Sequence, residues 1–470
     1  MKKGTYLIKN MAFFTLGSFI SKLLTFFLVP FYTSVLSEGE FGTADVMQAS
    51  LLLLVPLLSL NAGEAALRFG LENTDDRDSI LYFGLRRALI SVIPAALIAL
   101  LLIPVFPESR PFLLLFIPLF AADAVYEFLL LYCQGIEEVQ KMITGSISYT
   151  VFLIASNMIL LLKVKAGVFG YIFSLIIAFL LSSTVMLILL DAPERLRNAV
   201  KKSPVGAEMR EYGRNMLLYS TASWVNNAID RYYILFLLGT SDNGLYGAAY
   251  KIPAVLTVFQ RIFAMAWQMS AVKEYKGEES EVYFSNMYRI YQTALVTGCG
   301  ALILFLKPIA AFMFRNDFYA SWVLVPPLLI SVCFGAMEGF LGSIALAFKD
   351  GKSMGYATGT GAVFNMILNF ILIKQFGVSG AAYATLISYF IMFIMAYFFV
   401  KKHVALKVPL LRDMVSYLLL IGEAAVVISG MRNYTVWNAV IFILLILLYS
   451  REILDTLNKL TERYVKREDR

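Results

Sequence analysis

NMAFFTLGSFISKLLTFFLVPFYTSVLSEGEFGTAD runs from Asn10 to Asp45, and NMLLYSTASWVNNAIDRYYILFLLGTSDNGLYGAAY runs from Asn215 to Tyr250. Laid over each other without a gap, the stretches agree at Asn10/Asn215, Met11/Met216, Ser18/Ser223, Phe31/Phe236, Gly39/Gly244, Gly42/Gly247 and Ala44/Ala249. Each is a long apolar run, a short polar turn with glycine, and the start of a second apolar run. A long-range repeat in an apolar chain points to a transporter built from two similar halves with its site between them.

The whole chain of 470 residues is 59% hydrophobic and 16% charged, which places it among polytopic membrane proteins. The opening MKKGTYLIKNM is basic and leads into an apolar segment too long for a signal-peptide core, so it reads as a retained first transmembrane helix. Cys133, Cys299 and Cys333 all fall in apolar runs and match no metal spacing; they read as small buried hydrophobes. The single histidine, His403, follows Lys401 and Lys402 and reads as a solvated loop residue, since a lone His builds no zinc site. No metal and no cofactor is expected. The formal charge of +7 is carried by short loops, where anionic membrane lipids rather than nucleic acid are the nearest partner.

Apolar runs long enough to cross a bilayer number about fourteen. They lie near 10–34, 42–69, 80–106, 111–134, 142–162, 167–190, 213–239, 244–272, 284–306, 319–348, 354–374, 378–400, 411–429 and 434–450. With the N-terminus inside, roughly 28 basic residues fall in inner loops against roughly 7 in outer ones, a strong positive-inside bias. Both termini are then cytoplasmic. The longest hydrophilic connection, after the sixth span, carries Pro193, Pro204 and a cluster of bases. A second echo supports the division there: GVFG from Gly167 opens span six, and GVSG from Gly377 opens span twelve. The expected fold is all-α: two parallel six-helix lobes plus a C-terminal helix pair. The expected limits are 1–192 for the N-lobe, 193–212 for a cytoplasmic basic linker, 213–403 for the C-lobe, 404–450 for the extra pair and 451–470 for a cytoplasmic amphipathic tail.

The basic start, the E-F-G-x-A turn at Glu40–Ala44, the GEAALRF pattern from Gly63 to Phe69 and the helix layout resemble one family over essentially the whole chain. That family is the polysaccharide transporters of the multidrug/oligosaccharidyl-lipid/polysaccharide exporter superfamily, which includes flippases for O-antigen, capsule and related repeat units. The resemblance implies that a polyprenyl-diphosphate-linked oligosaccharide is carried from the cytoplasmic to the outer leaflet. It implies a multi-pass protein of a bacterial cytoplasmic membrane, with polysaccharide polymerase and glycosyltransferases as working partners. The last two helices resemble the extra pair of fourteen-helix members, where the pair helps form a groove for the lipid tail.

Charged side chains inside spans each cost at least ~2.5–3.5 kcal/mol near the bilayer centre, so each needs a reason. The cations Lys22, Arg68, Arg231, Lys251 and Arg261 are candidate substrate ligands: Arg binds phosphate through bidentate hydrogen bonds and Lys as a point charge. Their competing roles are salt bridges and snorkelling, the latter strongest for Arg68 near its span's end. Asp230 and Lys251 flank the GTSDNG turn at similar distances and are candidates for a structural ion pair, which would leave Arg231 free. Asp123 and Glu127 lie four apart on one helix face and, with Asp230 and Glu338, are candidates for coupling transport to H⁺ or Na⁺. Asn365 and Asn369 either line the cavity or bind helices together. Gly351–Ser353 has the end of a P-loop, but Leu346 occupies the earlier glycine position. An enzyme is disfavoured because no outer loop is large enough to carry an active site. The competing function is a cation-coupled multidrug or organic-cation antiporter of the same superfamily.

Overall fold

The computed structural model describes residues 26–72, 76–275 and 280–455. Among these residues there is no β-strand, as expected of an all-α chain. Internal packing divides the chain into two compact units, Met1–Arg231 and Tyr232–Arg470, a division that falls within a helix.

The first unit begins with α1 (Val29–Val35) and α2 (Glu38–Ser59). Ser37 starts α2 through a capping box: its Oγ accepts from the Glu40 N–H at 3.3 Å, and Glu40 Oε2 accepts from the Ser37 N–H at 2.9 Å. Pro56 sits inside α2, and the helix stops where Leu60 and Asn61 both take left-handed backbone at φ 54° and 49°. The run expected as one span over 42–69 is therefore two helices, α2 and α3 (Ala62–Glu72). Next come α4 (Arg77–Ile90) and α5 (Val92–Leu102), which together form one long apolar span, then α6 (Arg110–Gly135). α7 (Val139–Asn157) runs on into a π-helical stretch, Met158–Lys163. α8 (Gly167–Leu189) packs on α6 and α7. α3 packs tightly on α6 because both present glycine: a Cβ on Gly70 would stand 2.9 Å from the Gly135 carbonyl carbon.

The hydrophilic connection folds as two short helices, α9 (Ala192–Asn198) and α10 (Val205–Asn215), followed by α11 (Leu217–Leu237). Asn61, in the break between α2 and α3, holds this segment. Its Nδ2 donates to the Gly213 carbonyl at 3.1 Å, and its Oδ1 accepts from Ser220 Oγ at 2.8 Å. Trp224 Nε1 adds a bond to the Ala49 carbonyl at 2.8 Å.

The second unit contains α12 (Thr240–Ala249), α13 (Pro253–Glu274), α14 (Ser280–Leu304), α15 (Leu306–Met313), α16 (Val325–Ala347), α17 (Gly351–Phe376), α18 (Val378–Val400), α19 (Leu410–Ser429) and α20 (Tyr434–Leu448). The run expected as one span over 244–272 is broken between α12 and α13, where Pro253 lacks an amide donor and its ring crowds the preceding turn. α16 is the most enclosed of the long spans and packs on α13, α14 and α18. The last pair, α19 and α20, packs on α14. Tyr417 donates to Gln292 at 3.0 Å, Tyr449 to Ser416 at 3.0 Å, and Arg412 pairs with Glu452.

Each of the fourteen apolar runs coincides, within the described residues, with one helix or a broken pair. Eight spans among the described residues are individually long and apolar enough to cross a membrane, nine if α14 and α15, bent by 66°, count as one.

Candidate functional site

The charged residues within the spans fall into separate local settings in each unit. In the first unit, Arg231 Nε donates to Asp45 Oδ2 at 2.6 Å, and Arg231 Nη1 donates to the Asn227 carbonyl at 3.0 Å. The pair is well buried, with 15% of the Arg231 side chain and 8% of the Asp45 side chain exposed. Arg231 is therefore not the free cation expected from its position beside Asp230. The helical phase of α11 turns it toward α2, where Asp45 meets it. Arg68 is half-exposed; it pairs with Glu72 one turn on at 2.9 Å and lies 5.2 Å from the Tyr212 ring centre. A shallow cavity of about 300 Å³ is lined there by Glu64, Leu67, Arg68, Leu71, Glu72 and Tyr212. Lys22 lies outside the described residues.

Asp123 and Glu127 are half-buried on α6, four residues apart and on one face, as their spacing requires. Glu127 lies within electrostatic reach of Glu64 on α3, and Asp123 within reach of Glu127, Tyr126 and Tyr149. None of these three carboxyl groups pairs with a cation among the described residues. Beside them stands a polar aromatic core. Tyr149 stacks on Tyr126 at 5.2 Å and on Phe179 at 4.9 Å. Asn157 donates to the Tyr32 hydroxyl at 2.9 Å, and Gln48 to the Tyr171 hydroxyl at 3.2 Å. Glu64 is the member that sequence reasoning left out of this row. Its place in GEAALRF, one turn before Arg68, was the available signal. Among the described residues no group of three His, Cys, Asp or Glu side chains is placed to hold a metal ion.

Asp230 is fully buried, near the end of the first unit. In the second unit Lys251 sits half-buried in the break between α12 and α13. Both have neighbours that engage them. Arg261, midway along α13, is exposed and has no carboxylate partner among the described residues. Glu338 on α16 is half-buried and hydrogen-bonds Thr358 on α17. Asn369 donates to the Asn365 carbonyl at 2.9 Å and to its Oδ1 at 3.1 Å, a bond within α17 itself. Glu423 on α19 is fully buried beside Gly300, and neither carboxyl oxygen finds a hydrogen bond.

His403 is not merely solvated. Its Nε2 lies 2.8 Å from Asp350 Oδ2, and its ring stacks on Phe348 at 5.3 Å and 13°. Asp350 also caps α17 by accepting from the Ser353 N–H at 3.1 Å. The Gly351–Ser353 stretch is thus a capped helix start.

Long apolar helices in two units, with ionisable groups set inside them, define a multi-pass membrane protein. The solved structures bear this out at the level of fold. The lipid II flippase MurJ in an inward closed conformation superposes with a TM-score of 0.68, at 15% identity over 96% of this chain and all of that one. An inward-facing multidrug resistance MATE family transporter of the MOP superfamily superposes with a TM-score of 0.69, at 13% identity over 82% of this chain and 94% of that one. The polysaccharide biosynthesis protein family matches residues 7–272, more than half of the chain, and the chain belongs to that family. A probable low-salt glycan biosynthesis flippase of Haloferax volcanii, Agl15, is 27% identical over 191 residues, which is 39% of this chain and 39% of that protein. The chain therefore matches about two fifths of that relative's length.

Proposed function

We propose that the protein is a flippase that carries a polyprenyl-diphosphate-linked oligosaccharide repeat unit from the cytoplasmic to the outer leaflet, for surface polysaccharide synthesis. The observation that carries this reading is the family match over residues 7–272, joined by the likeness to a glycan biosynthesis flippase. The host membrane is a bacterial cytoplasmic membrane with both termini inside, an orientation supported by the basic loops. The two lobes, 1–192 and 213–403, rock by alternating access. The diphosphate head group crosses beside Lys22, Arg68, Arg231, Lys251 and Arg261 while the tail stays in lipid. Arg261 is the strongest of these ligands, because it is exposed and lacks a carboxylate partner among the described residues. Arg231 and Arg68 already hold carboxylates and would contribute only by exchanging them for phosphate.

The row Glu64, Glu127 and Asp123, without a cation partner among the described residues, suits proton or Na⁺ coupling, and equally an antiporter of organic cations. The MurJ and MATE folds match this chain about equally, with TM-scores of 0.68 and 0.69. Replacing Lys22 or Arg261 with Ala separates the two. A flippase loses export of the glycan at unchanged protein level; an organic-cation antiporter keeps export intact in these variants and loses drug resistance in Asp123→Asn instead.

A further inference from the structure

We propose that the first unit holds a binding site for the phosphate of an anionic lipid head group, in the cavity between α4 and α10. The cavity measures about 320 Å³. Five cations line it: Arg86 and Arg87 from α4, Lys201 and Lys202 from the turn before α10, and Arg210 from α10. Among the described residues no Asp or Glu lines it.

None of the five cations has a carboxylate within salt-bridge distance among the described residues. Asp76 and Asp78, at the start of α4, bind Ser203 at 3.2 Å and Arg195 at 3.2 Å respectively. Arg87 lies within electrostatic reach of Arg210, and its Nε is held by the Ser59 carbonyl at 3.4 Å. Basic residues that merely obey the positive-inside rule spread into solvent. Here they converge on one concavity, where like charges repel until an anion enters. Two or three guanidinium groups around one space suit a phosphate, which accepts bidentate hydrogen bonds.

The walls decide for a lipid over a free anion. Phe83, Ile90 and Met209 line the same cavity as the cations. From Arg86 an exposed apolar stripe continues at helical spacing along α4 and α5: Ile90, Ile93, Leu97 and Leu101, with exposures of 40%, 63%, 56% and 71%. A charged mouth opening onto a lipid-facing stripe fits a molecule with a phosphate head and acyl chains. The site stands apart from the proposed transport, since every residue in it belongs to the first unit and none is a proposed substrate ligand.

The test is native mass spectrometry of the full-length protein, released from micelles containing phosphatidylglycerol or phosphatidylcholine. Wild type retains phosphatidylglycerol at least about five-fold more than phosphatidylcholine, and R87Q/R210Q loses that preference. K201Q/K202Q, whose ammonium groups are exposed at the mouth, lowers it and serves if the arginine variant does not fold. K349Q/K352Q, in a basic turn elsewhere, keeps it. Equal retention in wild type and both cavity variants overturns the site. Thermal protection of wild type by inorganic pyrophosphate at matched ionic strength, with no retained phosphatidylglycerol, overturns the lipid assignment and makes the ligand a soluble phosphate.

Discussion

At the scale of single residues, burial and charge decide most of what the side chains do. Arg231 and Asp45 lie 186 positions apart in the chain, and no spacing rule connects them. The sequence marks Arg231 as a charge inside a span, but its pairing depends on which way α11 turns, and that is set by tertiary contacts such as Trp224 on Ala49. Removing one partner strands the other in low dielectric, so Arg231→Ala should cost about 3–5 kcal/mol. Asp45→Asn combined with Arg231→Ala should cost clearly less than the two changes added, which a double-mutant cycle on thermal unfolding reads directly. The Asp350–His403 contact makes a second prediction, outside the membrane. The hydrogen bond from His403, then those from Ser353, hold the Asp350 carboxyl down at about 2. A lowered folded value adds stability that is present above the unfolded carboxylate range, about 4, and disappears as pH falls through the folded value. Wild type should therefore exceed Asp350→Asn in melting temperature above pH about 4, and the gap should close toward pH 2. His403 read as solvated because its partners, Phe348 and Asp350, come from a turn more than fifty residues earlier.

At the scale of elements, the two echoes read from the sequence meet physically in the first unit. Glu40 of the EFG turn accepts from the Val168 N–H at 3.1 Å, and Val168 belongs to GVFG. Gly167 takes φ 54° there, and a Cβ would overlap the Glu40 carboxyl. In the second copy Leu245 stands where Glu40 stands in the first, so the contact cannot be repeated. Helix breaks were legible only in part. Pro253 announces the break before α13 in the sequence, whereas Leu60 and Asn61 carry no such sign. Their left-handed turn is held by Asn61 bonding to α10 and α11, an interaction with residues about 150 positions away. Gly213 permits that packing, because any Cβ there would run into the Leu60 carbonyl. Gly213→Ala should lower stability by about 1–3 kcal/mol through overpacking. Gly355→Ala on α17 meets no atom within 4 Å and should be neutral or stabilising by about 0.5–1 kcal/mol. Melting temperatures of the two variants, compared with wild type, check the contrast.

At the scale of the whole molecule, apolar run length was the most legible property, since crossing a bilayer imposes one physical requirement on every span. All fourteen runs coincide with helices within the described residues. Internal packing divides the chain into two units, with the boundary inside α11. The site was less legible, because which buried charges find partners is a property of packing. Periodicity on α6 placed Asp123 and Glu127 on one face, while Glu64 joins them only through the close fit of α3 on α6. If this row couples transport to an ion gradient, Asp123→Asn should blunt the response of flipping to an imposed H⁺ or Na⁺ gradient in vesicles, and leave the ungraded rate in place. Transport of a lipid-linked glycan is tested by leaflet-resolved flipping of a polyprenyl-diphosphate-linked oligosaccharide in liposomes carrying the purified protein. Protein-dependent flipping that falls at least about ten-fold in Arg261→Ala is the predicted result. No acceleration over empty liposomes, with organic-cation exchange present in the same vesicles, would contradict it.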